Sequence, residues 1–202
     1  MNAFIAMENY IKKEEKDFGV GVPITLDEDV AKFESTRRKN VQTYNQWLSI
    51  SIPGKDFFIN VSKPVKEQSD DILQSLMKRE FLTTLFVTET KRLANNMDNL
   101  VKTITSNEEK LSKSNEIFSD FLQEKYEMLL NLQSGQELFD FVNKKCRTHN
   151  GAISSALLYS SGIKGFIYHD ITGERFLLYN AKNDIRLNMA NSEVLKDSKL
   201  IL

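Results

Sequence analysis

The sequence predicts an α+β protein, and three observations carry that prediction. Apolar side chains recur at strand spacing in Tyr44 to Ile52, in Phe57 to Val61 and again in the closing stretch from Gly162 to Leu187. Between these, the region from about Leu82 to Leu132 contains neither Pro nor Gly and repeats its apolar positions at helical spacing. The composition, 41% hydrophobic and 27% charged, is that of a globular chain and argues against general disorder. At 202 residues, the reading is a single domain over 1–202 with a helical insertion at 82–132.

Charge and cysteine content exclude several classes. A net charge of -1 gives no general affinity for nucleic acid, leaving only a local basic patch. The start lacks the order of a secretory signal, and no apolar run reaches the roughly 18 to 20 residues that span a bilayer, so a soluble, cytoplasmic protein is expected. One cysteine and two histidines, His149 and His169, offer neither a disulfide nor a thiolate and imidazole metal cluster. Cys146 sits in Lys144-Lys145-Cys146-Arg147, where neighbouring cations favour a thiolate, yet a small buried helix residue is the simpler expectation.

Taken in order, Phe18 to Ile24 reads as a Gly-rich turn entering an extended segment, because Pro23 blocks helix and Gly19 and Gly21 permit backbone that other residues resist. Thr25 and Glu28 have capping-box spacing, so a helix is expected to start there and to end near Arg37, Arg38 and Lys39. Pro53-Gly54 and Lys63-Pro64 end the two strands that follow. A helix begins at Ser69-Asp70, with Ile72, Leu73, Leu76 and Met77 as its apolar positions.

In the middle, Phe86, Thr90, Leu93, Met97, Leu100 and Ile104 give about three heptads. After the break at Ser106-Asn107 a second amphipathic stripe runs through Leu111, Ile117, Phe118, Phe121, Leu122, Tyr126, Leu129 and Leu130. The pattern predicts two antiparallel helices that bury these stripes against each other or the sheet, with a homodimeric coiled coil as the alternative. Further helices are expected at about Leu138 to Cys146 and Ile153 to Tyr159.

Several segments occur in an order that resembles ADP-ribosyltransferase-like proteins of bacteriophages and other mobile elements, including anti-CRISPR and phage polyvalent-protein types. Phe18-Gly19-Val20-Gly21-Val22-Pro23-Ile24-Thr25 resembles the family's Gly-rich element, and Lys63-Pro64-Val65-Lys66-Glu67-Gln68 its Lys-Pro-Leu-x-x-Gln stretch. Ser134-Gly135-Gln136-Glu137-Leu138-Phe139 looks like its Gly-x-Glu-Leu-Tyr helix start, and Gly162-Ile163-Lys164-Gly165-Phe166-Ile167-Tyr168 is similar to Gly-Ile-x-Gly-Ile-x-Tyr. The resemblance implies split antiparallel sheets around an NAD cleft. It implies Gly19, Gly21 and Thr25 as the cofactor-binding set if NAD is used, and otherwise no cofactor.

The same resemblance exposes gaps in the chemistry. Related enzymes carry an Arg or His on a first strand, but the residues ahead of Phe18 contain neither. Pro23 stands where an aromatic stacks on nicotinamide, and proline has no π-system. Arg175 stands at the position of the catalytic acid, where a cation opposes an oxocarbenium-like centre. Asp170 and Glu174 are the remaining candidate acids, either as a pair across the turn or singly, and His169 is a solvated turn residue. The expectation is a degenerate member that binds a host protein, such as a defence protein, in the host cytoplasm. An active NAD-dependent transferase is the first alternative and a self-associating assembly protein the second.

Overall fold

The computed structural model describes residues 1–6, 14–16, 19–37, 47–102, 104, 106–147 and 151–188. Its strands are β1 (Asn2–Ala6), β2 (Glu14–Lys16), β3 (Gly19–Thr25), β4 (Trp47–Ser51), β5 (Phe58–Asn60), β6 (Gly165–Asp170), β7 (Gly173–Leu178) and β8 (Arg186–Leu187). They form one sheet in the order β5-β6-β7-β3-β1-β4-β8, with β2 added to β3. The chain is thus α+β. The sheet is mixed, because β5 runs parallel to β6 while the other pairs are antiparallel.

The sheet has a waist. Among the described residues, the register along the β3 and β1 junction joins only Phe4 to Thr25, whereas β1 pairs with β4 over five positions from Asn2↔Ser51 to Ala6↔Trp47. Two arms therefore meet at one point, β5-β6-β7-β3 on one side and β1-β4-β8 on the other. β1 has no counterpart among the sequence expectations, because Phe4 and Ala6 blur the alternation that its inward residues Ala3 and Ile5 follow. The strand expected from Tyr44 is present from Trp47, and Tyr44 itself lies outside the described residues.

Side chains alternate across β6 and β7, and the two faces feed different cores. Phe166, Tyr168, Leu177 and Tyr179 join a cluster with Ile72, Leu76, Phe86, Leu129, Leu138 and Leu158 from the helices. Ile167, Phe176 and Leu178 join a second cluster with Ala3, Ile5, Leu48 and Ile50 from the other arm. The strand pair is the partition between them. Its close approach depends on Gly165, where an added Cβ would lie 1.8 Å from the Leu177 carbonyl oxygen.

The helices are α1 (Glu28–Arg37), α2 (Asp70–Met77), α3 (Arg79–Leu85), α4 (Val87–Leu100), α5 (Asn107–Leu130), α6 (Gly135–Cys146), α7 (Ala152–Ser161) and the short α8 (Ala181–Asp184). Ser69, Ser106 and Ser134 cap α2, α5 and α6 by accepting from the amides of Ile72, Glu109 and Glu137. The expected Thr25 cap is corrected. Asp27 caps α1, its Oδ1 accepting from Asp29 N at 2.8 Å and Val30 N at 3.3 Å, because Thr25 is still paired within β3.

The 82–132 stretch is not an appendage on a finished domain. Leu82, Leu85, Phe86 and Leu129 are buried in the same cluster as Leu138, Phe139, Leu158 and Phe166. The expected burial of the two stripes holds only in part: Phe86 is buried, while Leu93 and Met97 of the first are half-exposed and Leu111 of the second, on α5, is 65% exposed. Among the described residues, no helix is long and apolar enough to cross a membrane.

Candidate functional site

Strand register decides the geometry around Asp170 and Glu174. Tyr168 pairs with Arg175, His169 with Glu174 and Asp170 with Gly173. Because alternate residues point to opposite faces, Asp170 shares the face of Tyr168 and Arg175, while Glu174 and His169 occupy the other. The carboxylate pair across the turn is therefore not formed. Glu174 instead makes an ion pair with Lys55, and Asp170 accepts from the Thr172 amide at 2.7 Å and from its hydroxyl. His169 is exposed, although on β6 rather than in the turn.

Arg175 is the best-held charge in this region. Its side chain is 3% exposed, and its two terminal nitrogens reach Glu34 of α1 at 2.6 Å and 3.1 Å. Nη1 also donates to Thr172 Oγ1 at 3.2 Å and lies 3.7 Å from Asp170 Oδ2. Burial disfavours the guanidinium charge, but Glu34, Tyr168 and Asp170 together outweigh it and raise the arginine's pKa, so it stays protonated. Burial pushes the Asp170 carboxyl up, but the Thr172 hydrogen bonds and the Arg175 charge hold it below its ordinary 3.8. This is a planar two-point pair between a buried guanidinium and a carboxylate.

Gly19 and Gly21 are committed to packing. Gly19 has φ +125°, and an added Cβ would stand 2.5 Å from Ser155 Oγ and 2.9 Å from the Tyr179 ring. At Gly21 it would stand 2.6 Å from the Leu178 carbonyl oxygen. Ser155 of α7 accepts from Val20 N at 3.0 Å, donates to the Gly151 carbonyl at 2.9 Å, and is hydrogen-bonded to Tyr179. Burial drives the Tyr179 phenol well above its ordinary 10.0 despite that bond. A crevice of about 270 Å³ opens beside this junction, with Ser155, Tyr159, Tyr179 and Asn180 as polar lining.

Thr25 is buried and accepts from Asp27 N at 3.0 Å, which makes it part of the entry to α1. Gly19 and Thr25 lie at opposite ends of β3, and it is Thr25 that pairs with Arg175. Pro23 is buried against Leu177, and β1 carries neither Arg nor His. Gln68 braces its loop, donating to the carbonyls of Asn60 and Lys63 and accepting from Asn60 N, each at 2.8 to 2.9 Å.

Cys146 is half-buried at the end of α6, where burial raises its thiol pKa and a hydrogen bond with Ser154 lowers it less. The neighbouring lysines do not make it a thiolate. Among the described residues no group of three or more His, Cys, Asp or Glu side chains is placed to hold a metal. Glu34 and Ser155 were not singled out by sequence, since each depends on a contact more than a hundred residues away.

Compared with protein-family models, curated proteins and solved structures, the chain matches none of them.

Proposed function

We propose that this protein is an ADP-ribosyltransferase-like binding protein of phage or mobile-element type that acts on a host protein without NAD chemistry. The observation that carries this reading is the Arg175 to Glu34 pair. A transferase needs an acid that stabilises positive charge on the ribose, and here a buried cation fills that position with both terminal nitrogens engaged. The acids on the same face, Asp170 and Glu34, are both held by that cation, and Glu174 points to the opposite face. Close packing at Gly19 and Gly21 supports the reading, since the space beside them is taken by Ser155, Tyr179 and the Leu178 carbonyl.

The test is incubation of the protein with labelled NAD and extract of a candidate host. No transfer of label and no NAD-dependent thermal shift are expected. Label transfer that disappears in Asp170→Ala or Glu174→Ala would overturn the reading in favour of an active transferase.

A further inference from the structure

Arg92, Lys125, Lys144, Lys145 and Arg147 gather around α4. Two open crevices meet there, one of about 520 Å³ between α4 and α5 and one of about 450 Å³ between the start of α4 and the end of α6, with Glu89 lining both. Arg92 and Lys125 line the first, and Lys144, Lys145 and Arg147 the second, with Glu89 the single acid among the described residues of either lining. Lys145 is paired with Glu89, and Lys125 with Glu124 at 2.7 Å. Arg92, Lys144 and Arg147 are exposed and, among the described residues, form no ion pair. For a chain of net charge -1 this is a strong local excess.

The floor of the crevices is apolar. Leu93 and Phe121 contribute to the first and Phe141 and Val87 to the second, with Val87 47% exposed. Lys125 and Lys145 lie over aromatic rings, at 5.1 Å from Phe121 and 4.9 Å from Phe86, so their ammonium groups are held in place rather than swept through solvent.

We propose that these crevices dock an acidic peptide segment of the host protein, with carboxylates against Arg92, Lys144 and Arg147 and apolar side chains on Leu93, Val87 and Phe141. The inference rests on the binding-protein reading above. A peptide fits better than nucleic acid for two reasons. The cations are divided between two crevices on either side of the paired Glu89 and form no continuous phosphate track, and Leu93 and Val87 offer aliphatic surface that suits apolar side chains better than the flat face of a base.

The test is a fluorescence anisotropy titration of the full chain with three probes of equal negative charge. They are a labelled peptide alternating Glu with Leu and Phe, the same peptide with Ser in place of Leu and Phe, and a single-stranded oligonucleotide. The apolar acidic peptide is expected to bind tightest, and Arg92→Glu with Lys144→Glu to weaken it by about tenfold or more. Leu93→Ser should weaken it and leave the Ser-containing peptide unchanged. Equal binding of the two peptides, tighter binding of the oligonucleotide, or no effect of the charge reversals would overturn the proposal. The NAD experiment is independent, so a transferase would be exposed there whatever the probes do.

Discussion

At the scale of single residues, the Arg175 to Glu34 pair is the most consequential interaction outside the apolar cores. A buried arginine deprived of its carboxylate leaves an uncompensated charge, which costs more than the pair itself contributes. Glu34→Ala is expected to lower the unfolding free energy by about 3 kcal/mol, at the low end of the buried-pair range because Glu34 keeps 26% of its side chain in solvent. Arg175→Met combined with Glu34→Leu should recover most of that loss, since it removes both charges and fills the space with apolar atoms. Urea denaturation of the three variants checks this, and a double variant as unstable as Glu34→Ala would show that geometry, not charge, holds the site.

Asp170 adds a pH dependence with a definite sign. Its folded-state pKa lies below the ordinary 3.8, so its contribution is complete above that value and disappears as pH falls through the lower folded value. Asp170→Asn should therefore cost stability at pH 7 and progressively less below pH 3.8. A difference between wild type and Asp170→Asn that stays flat over that range would mean the carboxylate gains nothing from Thr172 and Arg175.

At the scale of elements, burial along α3, α4 and α5 is uneven, and local stability should follow it. Leu82, Leu85 and Phe86 at one end and Leu129 at the other are nearly inaccessible, whereas the start of α5 holds Leu111 at 65% exposed and caps on Ser106 alone. Hydrogen exchange is expected to be fast from Asn107 to about Glu116 and slow from Leu122 to Leu130 within the same helix. Uniform protection along α5 would indicate a partner or a second copy covering its exposed half.

That gradient also marks what was legible in the sequence. Helix starts at Ser69, Ser106 and Ser134 and strand ends at Pro53 and Pro64 were readable, because capping and backbone restriction act within a few residues. The α1 cap was misread because Thr25 and Asp27 are equally good caps in isolation, and only pairing of β3 with β7 removes Thr25. β1 was invisible because it earns burial from β4, about fifty residues on. At the candidate site the sequence brought Asp170, Glu174 and Arg175 to one hairpin, but the faces they occupy follow from the register with β6. Glu34 and Ser155 could not be found at all, since long-range pairing alone gives them their roles.

At the scale of the molecule, the waist of the sheet poses a question of cooperativity. Among the described residues only Phe4↔Thr25 links β3 to β1, and the hydrogen bonds at one such position contribute about 1 kcal/mol each. Against that stands the cluster that crosses the waist, where Ala3, Ile5, Leu48 and Ile50 pack with Phe58, Ile167, Phe176 and Leu178. At about 1.5 to 3 kcal/mol for each large buried side chain, packing outweighs the missing ladder several-fold. The second arm is therefore bound to the first by side chains, and β6 and β7 tie that cluster to the helical one because they supply both.

The chain should then unfold as one unit. Trp47, the single tryptophan, lies on β4 in the second arm, whereas far-ultraviolet circular dichroism is dominated by the helices on the first. Urea transitions followed by Trp47 fluorescence and by circular dichroism are expected to coincide. Phe176→Ala, which damages only the strand cluster, and Phe166→Ala, which damages only the helical one, should each cost about 3 to 5 kcal/mol and shift both probes together. If Phe176→Ala moved the Trp47 transition to lower urea and left the helical signal in place, the waist would be a true boundary and the arms separate units.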